Sequence, residues 1–146
     1  MGVVALAVAG LTSCDPVPTT SPLSLSLTDD GAIIEICRDN GLRDYFVEFR
    51  RAPSAPWETV FKAEGGPVFR VDTANPDPLL DVTVSQPFDA VGSSIVAVVF
   101  SSAGRPADVV YEAEFRIPAS GLADGEWLHP DGTVGPRACS DDRSTK

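Results

Sequence analysis

In Val109-Val110-Tyr111-Glu112-Ala113-Glu114-Phe115-Arg116-Ile117 the last seven positions alternate apolar and polar side chains. In an extended chain successive side chains point to opposite faces. Val109, Tyr111, Ala113, Phe115 and Ile117 therefore share one face, and Val110, Glu112, Glu114 and Arg116 share the other. One apolar face and one charged face describe a half-buried antiparallel strand. Tyr45 to Arg51 repeats the pattern, with Tyr45, Val47 and Phe49 set against Glu48 and Arg50. Ser94 to Ser101 differs, because Ile95 to Phe100 is apolar throughout. Its Val-rich makeup favours a central strand covered on both faces over a buried helix.

Five more candidate strands lie outward from these: Leu23 to Leu27, Ala32 to Cys37, Trp57 to Lys62, Val68 to Val71 and Leu80 to Ser85. The breaks between them hold turn formers, such as Asp29-Asp30-Gly31, Asp39-Asn40-Gly41, Pro53-Ser54-Ala55-Pro56, Gly65-Gly66-Pro67 and Ala103-Gly104-Arg105-Pro106. Such breaks recur at about 8 to 15 residues, the spacing of a sandwich or barrel. No stretch sustains a 3.6-residue period. The expectation is an all-β, antiparallel β-sandwich of seven to eight strands over residues 23–146, with an irregular C-terminal tail.

The chain has 146 residues, enough for one domain. Its 21 acids outnumber its 11 bases, for a net charge of -10. That charge repels phosphate backbones, so nucleic acid is not an expected partner. It also repels anionic membrane surfaces, so attachment to a membrane would need a lipid or a helix.

Residues Val3 to Leu11 are apolar apart from Gly10. This run is too short to span a bilayer but has the size of a signal-peptide core. Leu11-Thr12-Ser13-Cys14 follows it. The segment resembles the lipobox of bacterial lipoproteins: an aliphatic residue, two small residues and a Cys. The resemblance implies a signal peptide over 1–13 and a lipid-modified Cys14 as first residue of the mature protein. It further implies a location on the extracytoplasmic face of the cell membrane, with the membrane itself as partner through the Cys14 anchor. No base precedes the apolar run, which points to a translation start further upstream. Two acyl chains suffice for stable anchoring. Residues 14–22 continue as a Pro/Thr/Ser-rich tether, which Pro16, Pro18 and Pro22 hold extended.

A second resemblance concerns the fold. Tyr45-Phe46-Val47-Glu48-Phe49-Arg50, a Pro-containing turn and Trp57 look like the C–C′ hairpin of an immunoglobulin-like or fibronectin type III domain. Ile95-Val96-Ala97-Val98-Val99-Phe100, followed by Ser101 to Arg105, looks like that fold's passage from strand F to strand G. The resemblance implies an immunoglobulin-like sandwich, an architecture shared by many unrelated functions.

Three Cys are present. A lipid on Cys14 leaves Cys37 and Cys139 as an even pair, which in an exported protein is more often a disulfide than two thiols. The rival reading is two buried free thiols. A metal site is not expected, because the lone His129 and two distant Cys lack ligand spacing.

Motifs for a Ser-hydrolase elbow, a phosphate-binding loop, a dinucleotide fold and a zinc protease are missing. No catalytic residue and no cofactor is expected. His129 reads as a solvent-facing residue beside the turn Pro130-Asp131-Gly132, with Trp127 packed on the sandwich. Trp57 reads as a core or edge aromatic, with ligand or partner contact as the rival. The leading functional expectation is a non-catalytic interaction or structural module of the cell envelope, meeting an envelope protein or a small ligand. The alternative is a small exported hydrolase or solute-binding domain with an unrecognised site.

Overall fold

The computed structural model describes residues 22–38, 44–100 and 110–139, and for side chains leaves out 94, 96–100 and 110 as well. The signal peptide, Cys14, nearly all of the tether and the turns at 39–41 and 103–106 lie outside these residues. So do the side chains that would decide whether 96–100 are covered on both faces.

Among the described residues there are ten strands and no helix. They are β1 (Leu23–Thr28), β2 (Gly31–Ile36), β3 (Asp44–Arg50), β4 (Glu58–Gly65) and β5 (Arg70–Asp72). There follow β6 (Leu80–Ser85), β7 (Ser94–Phe100), β8 (Val110–Arg116), β9 (Trp127–Leu128) and β10 (Val134–Gly135). One sheet runs β10-β9-β1-β2-β5 and the other β6-β4-β3-β7-β8. The paired strands are antiparallel. The fold is a β-sandwich, and each of the eight expected strands is present.

Alternation fixes which side chains meet between the sheets. In β8, Tyr111, Ala113 and Phe115 are buried, while Glu112 and Glu114 are half-buried and Arg116 is exposed. In β3, Tyr45, Val47 and Phe49 enter the same core as Ile34, Ile36, Phe61, Val71 and Ile95. Tyr45 keeps its polar end satisfied, because its hydroxyl oxygen accepts the Val68 N–H at 3.1 Å. β7 lies between β3 and β8, the interior position its apolar sequence implies.

The β1–β2 hairpin turns at Asp29-Asp30 and pairs Thr28 with Gly31. A Cβ on Gly31 would overlap Oγ1 of Thr73. The bare glycine lets that hydroxyl come close enough to accept the Ala32 N–H at 3.0 Å, in a buried position.

The tail departs from a purely irregular segment. β9 and β10 form a short hairpin that extends the first sheet beyond β1, pairing Leu25 with Leu128. Leu128 joins the core and Leu122 packs partly against it. Two-residue strands carry no readable period, so no sequence pattern announces them.

Contacts at the strand ends separate two poles. At one, the Cys37 N–H donates to Pro22 O at 2.8 Å, and Cys37 is disulfide-bonded to Cys139 with a Cα–Cα distance of 5.6 Å. Chain entry at Pro22 and the tied tail thus share a pole. At the other, the Phe88 N–H donates to Asp30 O at 3.1 Å, and the rings of Phe49 and Phe88 lie 5.2 Å apart. Strand β3 ends there, at Arg50.

Candidate functional site

The pole opposite Pro22 gathers three guanidinium groups. β3 delivers Arg50, the following turn delivers Arg51, and β8 delivers Arg116. Register places Arg50 opposite Ser94 and Ser94 opposite Arg116, in one row across the sheet. The adjoining row, Phe49, Ile95 and Phe115, is core. Alternation therefore turns Arg50 and Arg116 outward.

Trp57 enters this cluster rather than the core. The Arg50 guanidinium carbon lies 4.4 Å from the centre of the half-buried Trp57 ring. At this range the ring's negative face attracts the cation by about 0.5–1 kcal/mol. Glu114 holds Arg50 only loosely, with Nη2 3.9 Å from Oε1. The Arg50 Nε–H is buried and meets no acceptor. A cleft of about 290 Å³ opens beside these groups. Among the described residues it is lined by Arg50, Arg51, Arg116, Pro53, Gly92 and Ser93 with others, and by no acid. Two smaller cavities share Arg51, one with Asp89 and one with Glu58.

A second Arg–Trp pair lies on the other sheet. Arg70 bonds Glu35 at 2.7 Å and sits 5.7 Å from the Trp127 ring centre. Trp127 is half-buried against the sandwich, as its sequence context suggests. The β5 and β9 strands bring this pair together.

His129 corrects the sequence reading. It is half-buried rather than solvent-facing, and Nδ1 lies 3.0 Å from the Ser24 hydroxyl. The same hydroxyl donates to Ala138 O. A hydroxyl has one proton, so Ser24 accepts from His129 and Nδ1 carries the hydrogen. This order is the reverse of a nucleophile–base pair, in which the imidazole takes the serine proton. Ser24 is also fully buried in β1. The arrangement locks the tail onto the outer side of β1, next to the Cys37–Cys139 bond. Ser24→Ala is expected to lower stability by about 1–2 kcal/mol, the scale of a buried hydrogen-bonding group lost. Urea denaturation measures it, and an unchanged midpoint would show that the lock is decorative.

Sequence pattern marks Arg50 and Arg116 only as outward positions on two strands. Their adjacency needs the β3–β7–β8 register. Ser24 and His129 stand 105 residues apart, and no motif links them. Among the described residues no group of three His, Cys, Asp or Glu could hold a metal. No protein-family model matches the chain, and no curated protein or solved structure matches it.

Proposed function

We propose that the protein is a lipid-anchored, non-catalytic interaction module on the extracytoplasmic face of the cell membrane, with its Arg-lined pole as the binding surface. The observation that carries this reading is the polarity of the sandwich. Chain entry at Pro22 and the disulfide-tied tail share one pole, and Arg50, Arg51, Trp57 and Arg116 occupy the other. An anchor at Cys14 would leave the Arg pole facing away from the membrane. The seven residues of β3 span about 23 Å. The Pro-rich segment from Asp15 to Pro22, if extended, adds about 25 Å.

The immunoglobulin-like type is part of the same proposal. Its support is the pairing of β3 with both β4 and β7, of β7 with β8, and of β2 with both β1 and β5. Strand β6 beside β4 and the β9–β10 hairpin beside β1 would be additions to that frame.

Metabolic labelling with a fatty-acid analogue tests the anchor. The protein expressed from its native start is expected to take up label, and Cys14→Ser is expected to lose it. Labelling that persists in Cys14→Ser would refute the lipid anchor.

A further inference from the structure

We infer that the cleft among Arg50, Arg51 and Arg116 binds an oxyanion, the carboxylate or phosphate group of a small ligand. The chain carries 21 acidic residues and only 11 Lys and Arg, so an average surface cleft would hold more acid than base. Among the described residues this one is lined by three Arg and no acid, and the carboxylate beside it, Glu114, stands 3.9 Å from Arg50. A concentration of one sign against the trend of the whole molecule costs repulsion among the guanidinium groups, which a bound anion relieves.

Arg50 and Arg116 flank β7 at the same register position, so their Cα atoms are about two strand spacings, or 10 Å, apart. Two long arms from that separation can converge on one anion in the cleft between them. Arg51 follows from the turn above. Guanidinium groups suit the task because their planar fork matches both carboxylate and phosphate oxygens.

Arg50 also keeps unused hydrogen-bonding capacity. The Trp57 ring, 4.4 Å from the guanidinium carbon, holds Arg50 by attraction to the cation without supplying an oxygen acceptor. Glu114 at 3.9 Å is well beyond the 2.7–2.9 Å of a charge-assisted hydrogen bond. Nε meets no acceptor at all. Among the described residues, no carboxylate saturates this cation.

Nucleic acid does not fit this site. The cleft offers three cations at one pole, while the net charge of -10 opposes a long polyanion. A compact ligand with one oxyanion group avoids that repulsion.

The inference rests on the Arg pole being the binding surface and is independent of the lipid anchor. Acyl labelling and anion binding are read separately, so either can fail alone. Full-length protein is titrated with inorganic phosphate and, separately, with citrate, in low-salt buffer near pH 7. Calorimetry gives the affinity and tryptophan fluorescence gives the location. Saturable binding is expected, with a fluorescence change that disappears in Trp57→Phe, where Trp127 remains as the reporter. Arg51→Gln and Arg116→Gln remove exposed side chains and should leave the circular dichroism spectrum unchanged. Each is expected to weaken binding about tenfold, the loss of one charge-assisted hydrogen bond. Binding to citrate alone assigns a carboxylate ligand, binding to phosphate alone a phosphorylated one, and binding to both the shared chemistry. The inference is overturned if neither anion binds saturably. It is equally overturned if both Arg variants bind as tightly as the parent.

Discussion

Replacing Cys37 and Cys139 together by Ser is expected to lower the unfolding free energy by about 4 kcal/mol. The bond joins residues 102 apart, and closing a loop of that size removes conformational freedom chiefly from the unfolded chain. The chain-entropy model assigns it about 4.7 kcal/mol, and engineered bonds commonly deliver somewhat less. A domain of this size holds only about 5–15 kcal/mol in all. The loss should be the same for either single variant as for the double, because one missing thiol already breaks the bond. It should also be unevenly distributed. The tail reaches the core through Leu128 and, partly, Leu122, and beyond the bond it is held by the Ser24 contacts to His129 and Ala138. Hydrogen exchange in the reduced or substituted protein should therefore rise first in β9 and β10, while β3 keeps its protection between β4 and β7. Urea unfolding measures the total. A loss below about 1 kcal/mol would mean that tail packing, not the cross-link, holds this pole together.

How far the sequence reaches depends on how local the deciding physics is. Strand β8 is legible because Tyr111 to Ile117 alternate over seven residues, an alternation with no helical reading, and β3 because Tyr45, Val47 and Phe49 share one face against Glu48 and Arg50. Strand β5 was placed less accurately. Val68 to Val71 was the expected stretch, whereas the strand is Arg70–Asp72, because three residues pair with β2 and the pairing, not the local composition, sets the ends. The β9–β10 hairpin was illegible at two residues per strand. Pairing of Cys37 with Cys139 followed from parity once Cys14 was assigned a lipid. It did not follow from geometry, which requires the tail to double back on β1.

The candidate site is legible only in pieces. Arg50 and Arg116 are each visible as outward residues at the end of an alternating strand. That they flank one another across Ser94 is a fact of register, and register between strands so distant in sequence is set by turns and core fit. Trp57 shows the same limit. A large aromatic next to a strand suggests core, but Pro56 precedes it and Glu58 follows it in an exposed stretch, and the ring settles beneath Arg50 instead. Ser24 illustrates the converse. Ser24 and Ser26 point to the face of β1 opposite Leu23 and Leu25, yet both are buried. At Ser24 the tail folds over that face, bonding the hydroxyl through Ala138 and His129.

Phe115→Ala and Glu114→Ala, neighbours on one strand, are expected to differ by several kcal/mol. Phe115 is 1% exposed and faces the inter-sheet core. Truncating a buried Phe loses its transfer free energy and leaves a cavity the neighbours fill only partly, at about 3–5 kcal/mol. Collapse around the gap is restricted here. Phe115 is paired with Ile95, itself paired with Phe49, so three large side chains stand in one row and none can shift without moving the register. Glu114 points the other way. Its side chain is 26% exposed and its partner Arg50 is 3.9 Å away, so the pair resembles a surface ion pair, worth about 0–1 kcal/mol. Strand β8 lies at the edge of its sheet, where substitutions are commonly tolerated, which makes the contrast a sharper test than one in a central strand. Thermal or urea unfolding of the two variants measures it. Equal losses would mean that β8 does not present one face to the core and the other to the surface. The alternation of Val109 to Ile117 would then have been misread. A small loss at Glu114 accompanied by tighter anion binding would instead identify this carboxylate as the competitor that the Arg50 guanidinium gives up when a ligand enters.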